Sequence, residues 1–470
     1  MAFLGREEQL AALAAHLEAV RAEGRGAIVV VRGPRRAGTT TLVEEFARRA
    51  GLPAFVFEAR QGRDHRQELI RLGQELAASA LPQAGALRRA PQPDGWQQGL
   101  AALAPSGDDP VLVCIDEFPW LAATDKAVLQ GLRSAWDDEL AGRPVLLVLT
   151  GADAAVMAAL EAGKGWLAER VTGTITVDPL TPAEVADQLG LPAREALDAY
   201  LITGGLPQLV GCWEPGQSRK AFLAAQLADA QSPLVVAGER ALNAEVPPYT
   251  GARAVLQAIG TGQATFNRIS EESTLGASRL SSIVRTLEQQ ELIEVRIPFG
   301  ADGGSKAKRY VVRSPYARFW MAFVEPWIGQ LERGGDRAVR ERIDAGWELY
   351  REAAIEPVIR DSLVRLLPDE RLGAAEAVGG WWTRDQRVHV DLVGWSGEGK
   401  DAEAAFAGAI AWGDRGPFGK SDLQQLEGRR DLLPGAGPHL PLVAVSRAGF
   451  KRGVEVDVAL GPDDLIDAWR

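Results

Sequence analysis

One stretch of this chain leaves little freedom of fold. From Ile28 to Phe46 it reads IVVVRGPRRAGTTTLVEEF. A β-branched apolar run ends at Gly33, a glycine-bracketed turn follows, and an amphipathic helical pattern resumes after Gly38. A strand that is apolar throughout belongs in a parallel sheet covered on both faces. Strand, glycine turn and helix in this order make a phosphate-binding loop, whose pattern is Gly, four residues, Gly, Lys, then Ser or Thr. Gly33, Gly38 and Thr40 fit that pattern, and Thr39 stands where the lysine is expected.

The loop's chemistry follows from its backbone. Glycines allow a tight wrap that points N–H groups at phosphate oxygens, and the helix start adds its positive end. Gly33, Arg35, Arg36, Gly38, Thr39, Thr40 and Thr41 are therefore the expected phosphate contacts. Thr39 keeps a hydroxyl donor but lacks the lysine's charge. Arg35 and Arg36 bring positive potential into the loop, although side chains on such turns more often point outward.

A second stretch, PVLVCIDEFPWL from Pro110 to Leu121, runs an apolar strand straight into Asp116 and Glu117. Carboxylates at the carboxyl end of a central parallel strand face the crevice beside the phosphate loop. Asp116, with Thr40, is expected to hold Mg²⁺, and Glu117 to polarise the attacking water. The strand PVLLVLTG ends in Thr150. Thr150 and Asp153 are candidates for a polar sensor of the terminal phosphate. Strands alternating with helices, through GTITVDPL at 173–180, predict an α/β sheet with helices on both faces.

Helices follow from Thr181 to about Ala244, interrupted at Thr203-Gly204-Gly205-Leu206-Pro207; they read as a lid over the crevice. Residues 252–314 then give three helical stretches and a hairpin around a Gly-rich tip, the pattern of a winged helix-turn-helix. This segment carries nine basic against six acidic residues. Arg279 and Arg285 on its third helix, with Lys306, Lys308 and Arg309 on the wing, are the candidate DNA contacts. The same fold also serves protein packing, and the sequence leaves both uses open. An aromatic run, YARFWMAFVEPW from Tyr316, reads as packing between domains.

The last third reads as a second α/β unit comparable with restriction-endonuclease-like nucleases. That core needs an acid on one strand and Glu-x-Lys on the next. Asp391 fits the first place, but Ala409 and Ala411 stand in the other two, so nuclease activity is not expected. Glu348 or Glu356 would be remnants of the older site.

Together the motifs FLGREEQL, GPRRAGTTTLVEEF, IDEFPWL, TGADAAVM, GGLP and VGGWW…VDLV…GAIAW resemble a family of archaeal-type ATPases also widespread in bacteria. Its members join an AAA-like P-loop domain, a winged helix and a C-terminal nuclease-like domain of the DUF234 type. The resemblance covers nearly the entire chain. It implies ATP and Mg²⁺ as ligands, and it implies that Arg170 in LAERV approaches a nucleotide, including a neighbour's. The expected divisions are 1–180 for the P-loop domain, 181–248 for the lid and 249–316 for the winged helix. A linker at 317–344 and a degenerate nuclease-like domain at 345–470 complete them.

Bulk properties narrow the rest. The net charge of -11 opposes general attraction to nucleic acid, so any DNA contact needs a local basic face. Cys114 and Cys212 lie in apolar runs and read as free thiols in a reducing cytoplasm. No apolar run approaches the roughly 20 residues of a membrane span. The function expected is ATP binding with impaired or absent hydrolysis and an association with DNA. A scaffold for a protein partner, or new chemistry in the old crevice, is the alternative.

Overall fold

The apolar runs form the strands that their composition demands. A computed structural model of the chain describes residues 3, 5–88, 92–153, 156–158, 165–245, 251–262, 264–414 and 416–470. Leu4, Ala154 and Ala155, which belong to two of the motifs above, lie outside the described residues, as does the expected boundary near 248. The chain divides into two units, Met1–Pro179 and Leu180–Arg470.

The first unit is built on a parallel sheet. Its strands are β1 (Ala27–Arg32), β2 (Ala54–Glu58), β3 (Val111–Asp116), β4 (Val145–Gly151) and β5 (Val171–Thr176), in the spatial order β2-β3-β4-β1-β5. All residues of β3 and β4 are buried, which explains why these segments carry no alternating polar positions. Helix α1 (Glu7–Glu23) lays Leu10, Leu13, Leu17 and Val20 against the sheet. Helix α2 (Thr39–Ala50) buries Leu42, Val43, Phe46 and Ala47 in the same core. Because all four pairings are parallel, the carboxyl ends of the strands share one edge. The loop after β1, Asp116 of β3 and Thr150 of β4 meet there.

The second unit begins with helices Pro182–Leu189, Ala193–Thr203, Arg219–Leu227 and Pro233–Glu245. The first of these is opened by a complete Thr181/Glu184 capping box. Gly205, at φ 68°, lies so close to the Leu180 carbonyl that a Cβ would meet it at 2.0 Å, so this turn requires glycine. Three further helices, Ala252–Gly260, Phe266–Ser273 and Ala277–Gln289, lead into an antiparallel hairpin of β6 (Ile293–Arg296) and β7 (Arg309–Val312).

The segment expected to be a linker is instead core. Helix Pro315–Phe323 buries Tyr316, Phe319, Trp320 and Met321, and helix Asp336–Ala354 buries Val339, Ile343 and Trp347. The reason is composition. Aromatic area of this size must be covered, and the helices before and after it supply the cover. The last sheet follows, with β8 (Ala377–Trp382), β9 (His389–Ser396), β10 (Glu403–Ala411), β11 (Leu442–Ser446) and β12 (Val458–Leu460) in the order β12-β11-β10-β9-β8. Its β8–β9 and β9–β10 pairings are antiparallel, and the other two are parallel.

A buried ionic group lies within this unit. Asp198 accepts from Arg447 at 2.9 Å and stands 3.9 Å from Arg351, which also pairs with Asp414 at 2.7 Å. Burial pushes the Asp198 carboxyl above its ordinary value, while Arg447, Arg351 and Arg219 pull it down. The folded chain therefore holds this proton at pH values where the unfolded chain has released it. The associated stability is present below the ordinary value of 3.8 and is lost as pH rises through the raised one. Asp198→Asn should thus gain stability relative to the parent as pH climbs through that window and then level off. Urea denaturation of both proteins between about pH 3.5 and 7 checks the sign; a flat difference would show that Asp198 titrates at its unfolded value.

Candidate functional site

The phosphate loop spans Gly33 to Gly38 and is held from three sides. Gly33 sits against β5's exit, where an added Cβ would meet the Val177 carbonyl at 2.0 Å. Arg36 adopts φ 68° and Gly38 φ 96°, left-handed conformations that turn the chain into α2. Such a conformation costs a non-glycine residue about 1–2 kcal/mol, and strain of this kind concentrates at functional sites. Arg6, itself at φ 70°, reaches from the N-terminal lead-in to the carbonyls of Ala37, at 3.2 Å, and Asp178. The lead-in thus ties the loop to the end of the sheet, a structural role that the sequence motif alone does not disclose.

Below the loop lies a polar chain that joins α2 to β3 and β4. Thr40 Oγ1 donates to Asp116 Oδ2 at 2.6 Å. Thr150 Oγ1 donates to Asp116 Oδ1, the oxygen that also accepts the Glu117 backbone N–H at 3.1 Å. Thr40, Asp116 and Thr150 therefore converge as the sequence requires. The Thr40 hydroxyl and the Asp116 carboxylate are hard oxygen donors of the type Mg²⁺ takes. With the start of α2 above them, the residues present fit a metal–phosphate ligand.

Glu117 and Arg35 form the unexpected part. Glu117 stands at φ 52°, between β3 and helix Phe118–Thr124. Its carboxylate receives both arms of Arg35, with Nη1–Oε1 at 3.0 Å and Nη2–Oε2 at 3.3 Å. Trp120 lies beneath the guanidinium, 4.5 Å from its carbon to the ring centre. Both charged side chains are 16% exposed. Burial pushes the Glu117 carboxyl above its ordinary value; Arg35 opposes this, the Asp116 charge adds to it, and the Ala152 backbone N–H opposes it. Arg35 thus turns inward, not outward as expected from the sequence. Trp120 was missed there, although its place three residues after Glu117, at the start of a helix, marks a side chain facing the same crevice.

The remaining candidates divide. Thr39 opens α2 and is half-buried, whereas Thr41 is exposed in its first turn. Asp153 is exposed and accepts the Val156 N–H at 2.9 Å, a local cap. Arg170 corrects its expectation within one chain. It precedes β5, and β5 runs parallel to β1 with Val171 beside Ile28 and Thr176 beside Arg32. The loop follows Arg32, so Arg170 is at the opposite edge of the sheet, about 20 Å away along the strand. It pairs there with Asp137 at 3.6 Å.

In the second unit, Arg279 and Arg285 are exposed on helix Ala277–Gln289, as expected. The β6–β7 hairpin, expected as the wing, is not free. Arg309 donates to Gln386 Oε1 at 2.7 Å and covers Trp382 at 4.2 Å. The Trp382 indole donates to the Ala307 carbonyl at 2.6 Å, and the Phe299 N–H to the Gly380 carbonyl at 3.0 Å. Arg309 is therefore corrected from a DNA contact to a packing contact on β8, while Lys306 stays exposed and Lys308 half-buried. Asp391, compared above with a nuclease acid, accepts the Ile410 N–H at 3.0 Å, between Ala409 and Ala411, and lies 3.3 Å from His389 Nε2. Glu356 is occupied by Arg360 and by Arg296, the latter at 3.3 Å. Glu348 accepts the Asp414 N–H at 2.8 Å. Among the described residues no three metal-binding side chains gather.

Residues 2–155 match the AAA ATPase domain family, and residues 320–415 match a family described as archaeal and bacterial proteins of unknown function. An uncharacterized protein of Methanocaldococcus jannaschii, MJECL04, is 23% identical over 426 residues, 88% of each chain. Among solved structures, the Walker-type ATPase PABY2304 of Pyrococcus abyssi is similar at a TM-score of 0.48 and 17% identity. That match covers 68% of this chain and 96% of the other. The Aeropyrum pernix ORC2 protein, solved as ADPNP–ADP complexes, is similar at a TM-score of 0.45 and 11% identity, over 72% and 95%. No helix among the described residues is long and apolar enough to cross a membrane.

Proposed function

We propose that this chain, which joins an AAA ATPase domain to a C-terminal domain of the archaeal and bacterial family of unknown function, binds Mg²⁺·ATP and hydrolyses it slowly or not at all. The observation that carries the reading is the hydroxyl–carboxylate–hydroxyl chain of Thr40, Asp116 and Thr150, set under the start of α2. Gly33, Arg35, Arg36, Gly38, Thr39 and Thr40 would line the phosphates, and Thr40 and Asp116 would hold the metal. Bound Mg²⁺ would neutralise charge on the phosphate oxygens.

Two features argue for slow turnover. Thr39 cannot supply the loop's cation. Glu117 is engaged by Arg35, a pair that must break before the carboxylate can polarise water. Calorimetric titration with Mg²⁺·ATP tests the binding; silence at millimolar ATP rejects it. The same two features favour a second reading, a nucleotide-free scaffold, for which added ATP leaves the melting temperature unchanged.

The helices Ala252–Gly260, Phe266–Ser273 and Ala277–Gln289, with their hairpin, support a winged-helix module that contacts DNA through its third helix. Arg285→Ala should then weaken DNA binding at low salt and reduce the salt slope by about 1. Arg309→Ala should leave both unchanged, because Arg309 is already spent on Trp382 and Gln386. Fluorescence anisotropy with duplex DNA over a salt series reads both variants. Equal losses would put the hairpin on the duplex together with the helix, and a loss from Arg309→Ala alone would put the hairpin there in its place.

A further inference from the structure

Arg35 and Glu117 are 82 residues apart in sequence, yet they form a two-armed ion pair inside the crevice. The guanidinium fork is planar and presents paired N–H donors, and it matches phosphate oxygens as well as it matches a carboxylate. Arg35 is also the second residue after Gly33, within the loop whose backbone faces the phosphates. One cation thus lies within reach of two anionic partners, its present carboxylate and the expected phosphate. The loop position that would ordinarily provide a separate cation holds Thr39.

We propose that Arg35 is an exchangeable counter-ion. It pairs with Glu117 when the crevice is empty and with the terminal phosphates when nucleotide enters, so phosphate binding and release of the Glu117 carboxylate are one exchange. This rests on the ATP reading above and adds how the site is regulated. Trp120 gives the guanidinium a face to lie on in the empty state, so the pair is ordered. Glu117 is withheld from water until phosphate draws Arg35 away. The exchange has a thermodynamic consequence: the strength of the Arg35–Glu117 pair is subtracted from nucleotide affinity.

That subtraction can be measured without turnover. The experiment titrates full-length parent, Glu117→Gln, Arg35→Ala, the double variant and Thr39→Lys with Mg²⁺ and a non-hydrolysable ATP analogue, by calorimetry. Glu117→Gln should bind about tenfold tighter than the parent, equivalent to about 1.4 kcal/mol of pairing released. In the Arg35→Ala background the same change should alter the dissociation constant by less than about twofold, because no pair remains to break. A tightening of equal size in both backgrounds overturns the proposal, since Glu117 would then act only by repelling phosphate. No tightening overturns it as well. Binding by Thr39→Lys alone keeps the nucleotide site and removes Arg35 from it. Binding by none of the five removes the nucleotide reading itself, and this inference with it. Circular dichroism of each variant confirms that the fold is retained before titration.

Discussion

Thr39→Lys should tighten Mg²⁺·ATP binding by roughly 10- to 150-fold, the span of about 1.5–3 kcal/mol that one hydrogen bond to a charged group contributes. The position is right for it. Thr39 is the first residue of α2, half-buried, beside the Thr40 hydroxyl that bonds Asp116. Without nucleotide the change should act in the opposite sense. An ammonium at a helix start meets the positive end of the backbone dipoles, at a cost of about 0.3–1 kcal/mol. The variant should therefore melt slightly below the parent when empty and clearly above it with ATP. Neither shift alone is diagnostic, but the crossing of the two is. If the variant gains nothing with ATP, the loop does not cradle phosphate, and the lost charge at position 39 is incidental. Hydrolysis need not follow binding. Glu117 stays engaged wherever Arg35 remains on it, so a variant that binds well and turns over poorly fits the geometry.

The sheet edge was legible because its signals are local. An apolar run cannot be placed outside a covered sheet, and Asp116 and Thr150 each end such a run. The parallel order then brings both beside the loop, with Val31 next to Thr150. What was not legible depends on partners far away in sequence. The direction of Arg35 is set by Glu117 and Trp120, and nothing in GPRRAG itself distinguishes inward from outward. Arg309 looks like part of a basic cluster with Lys306 and Lys308 until Trp382 and Gln386 are seen to take it. Arg170 lies away from this chain's own loop for another reason. A motif says which strand a residue flanks, but only the register with β1 says at which end it lies relative to the loop. The short strand β12, Val458–Leu460, has too few residues to show any period. The expected linker shows how the same composition supports two readings. Aromatic residues in number serve an interface between domains or the core of one, and the sequence cannot choose between covers that it does not place.

That core supplies the largest expected loss of stability. Trp320→Ala should cost about 3–5 kcal/mol, as removal of a fully buried aromatic side chain does. Trp320 has no exposed surface, and its indole donates to the Val235 carbonyl at 2.8 Å. Tyr316, one turn earlier, makes the parallel bond to the Leu234 carbonyl at 2.9 Å, so one helix pins two successive carbonyls of its neighbour. Gly238 completes the fit: a Cβ there would lie 2.2 Å from the indole. Three variants then separate the contributions. Trp320→Phe keeps most of the apolar area and removes one bond to a carbonyl that helix Pro233–Glu245 also uses internally, a loss of about 0.5–1.5 kcal/mol. Gly238→Ala overfills the same contact from the other side and should lose about 1–3 kcal/mol. Trp320→Ala opens a cavity and loses the bond together, so it should exceed both. Chemical denaturation ranks them, and limited proteolysis should cut first within 180–470, the unit that the indole holds. If Trp320→Ala loses less than Trp320→Phe, residues 315–323 do not form the core of that unit, and the segment is a connection after all.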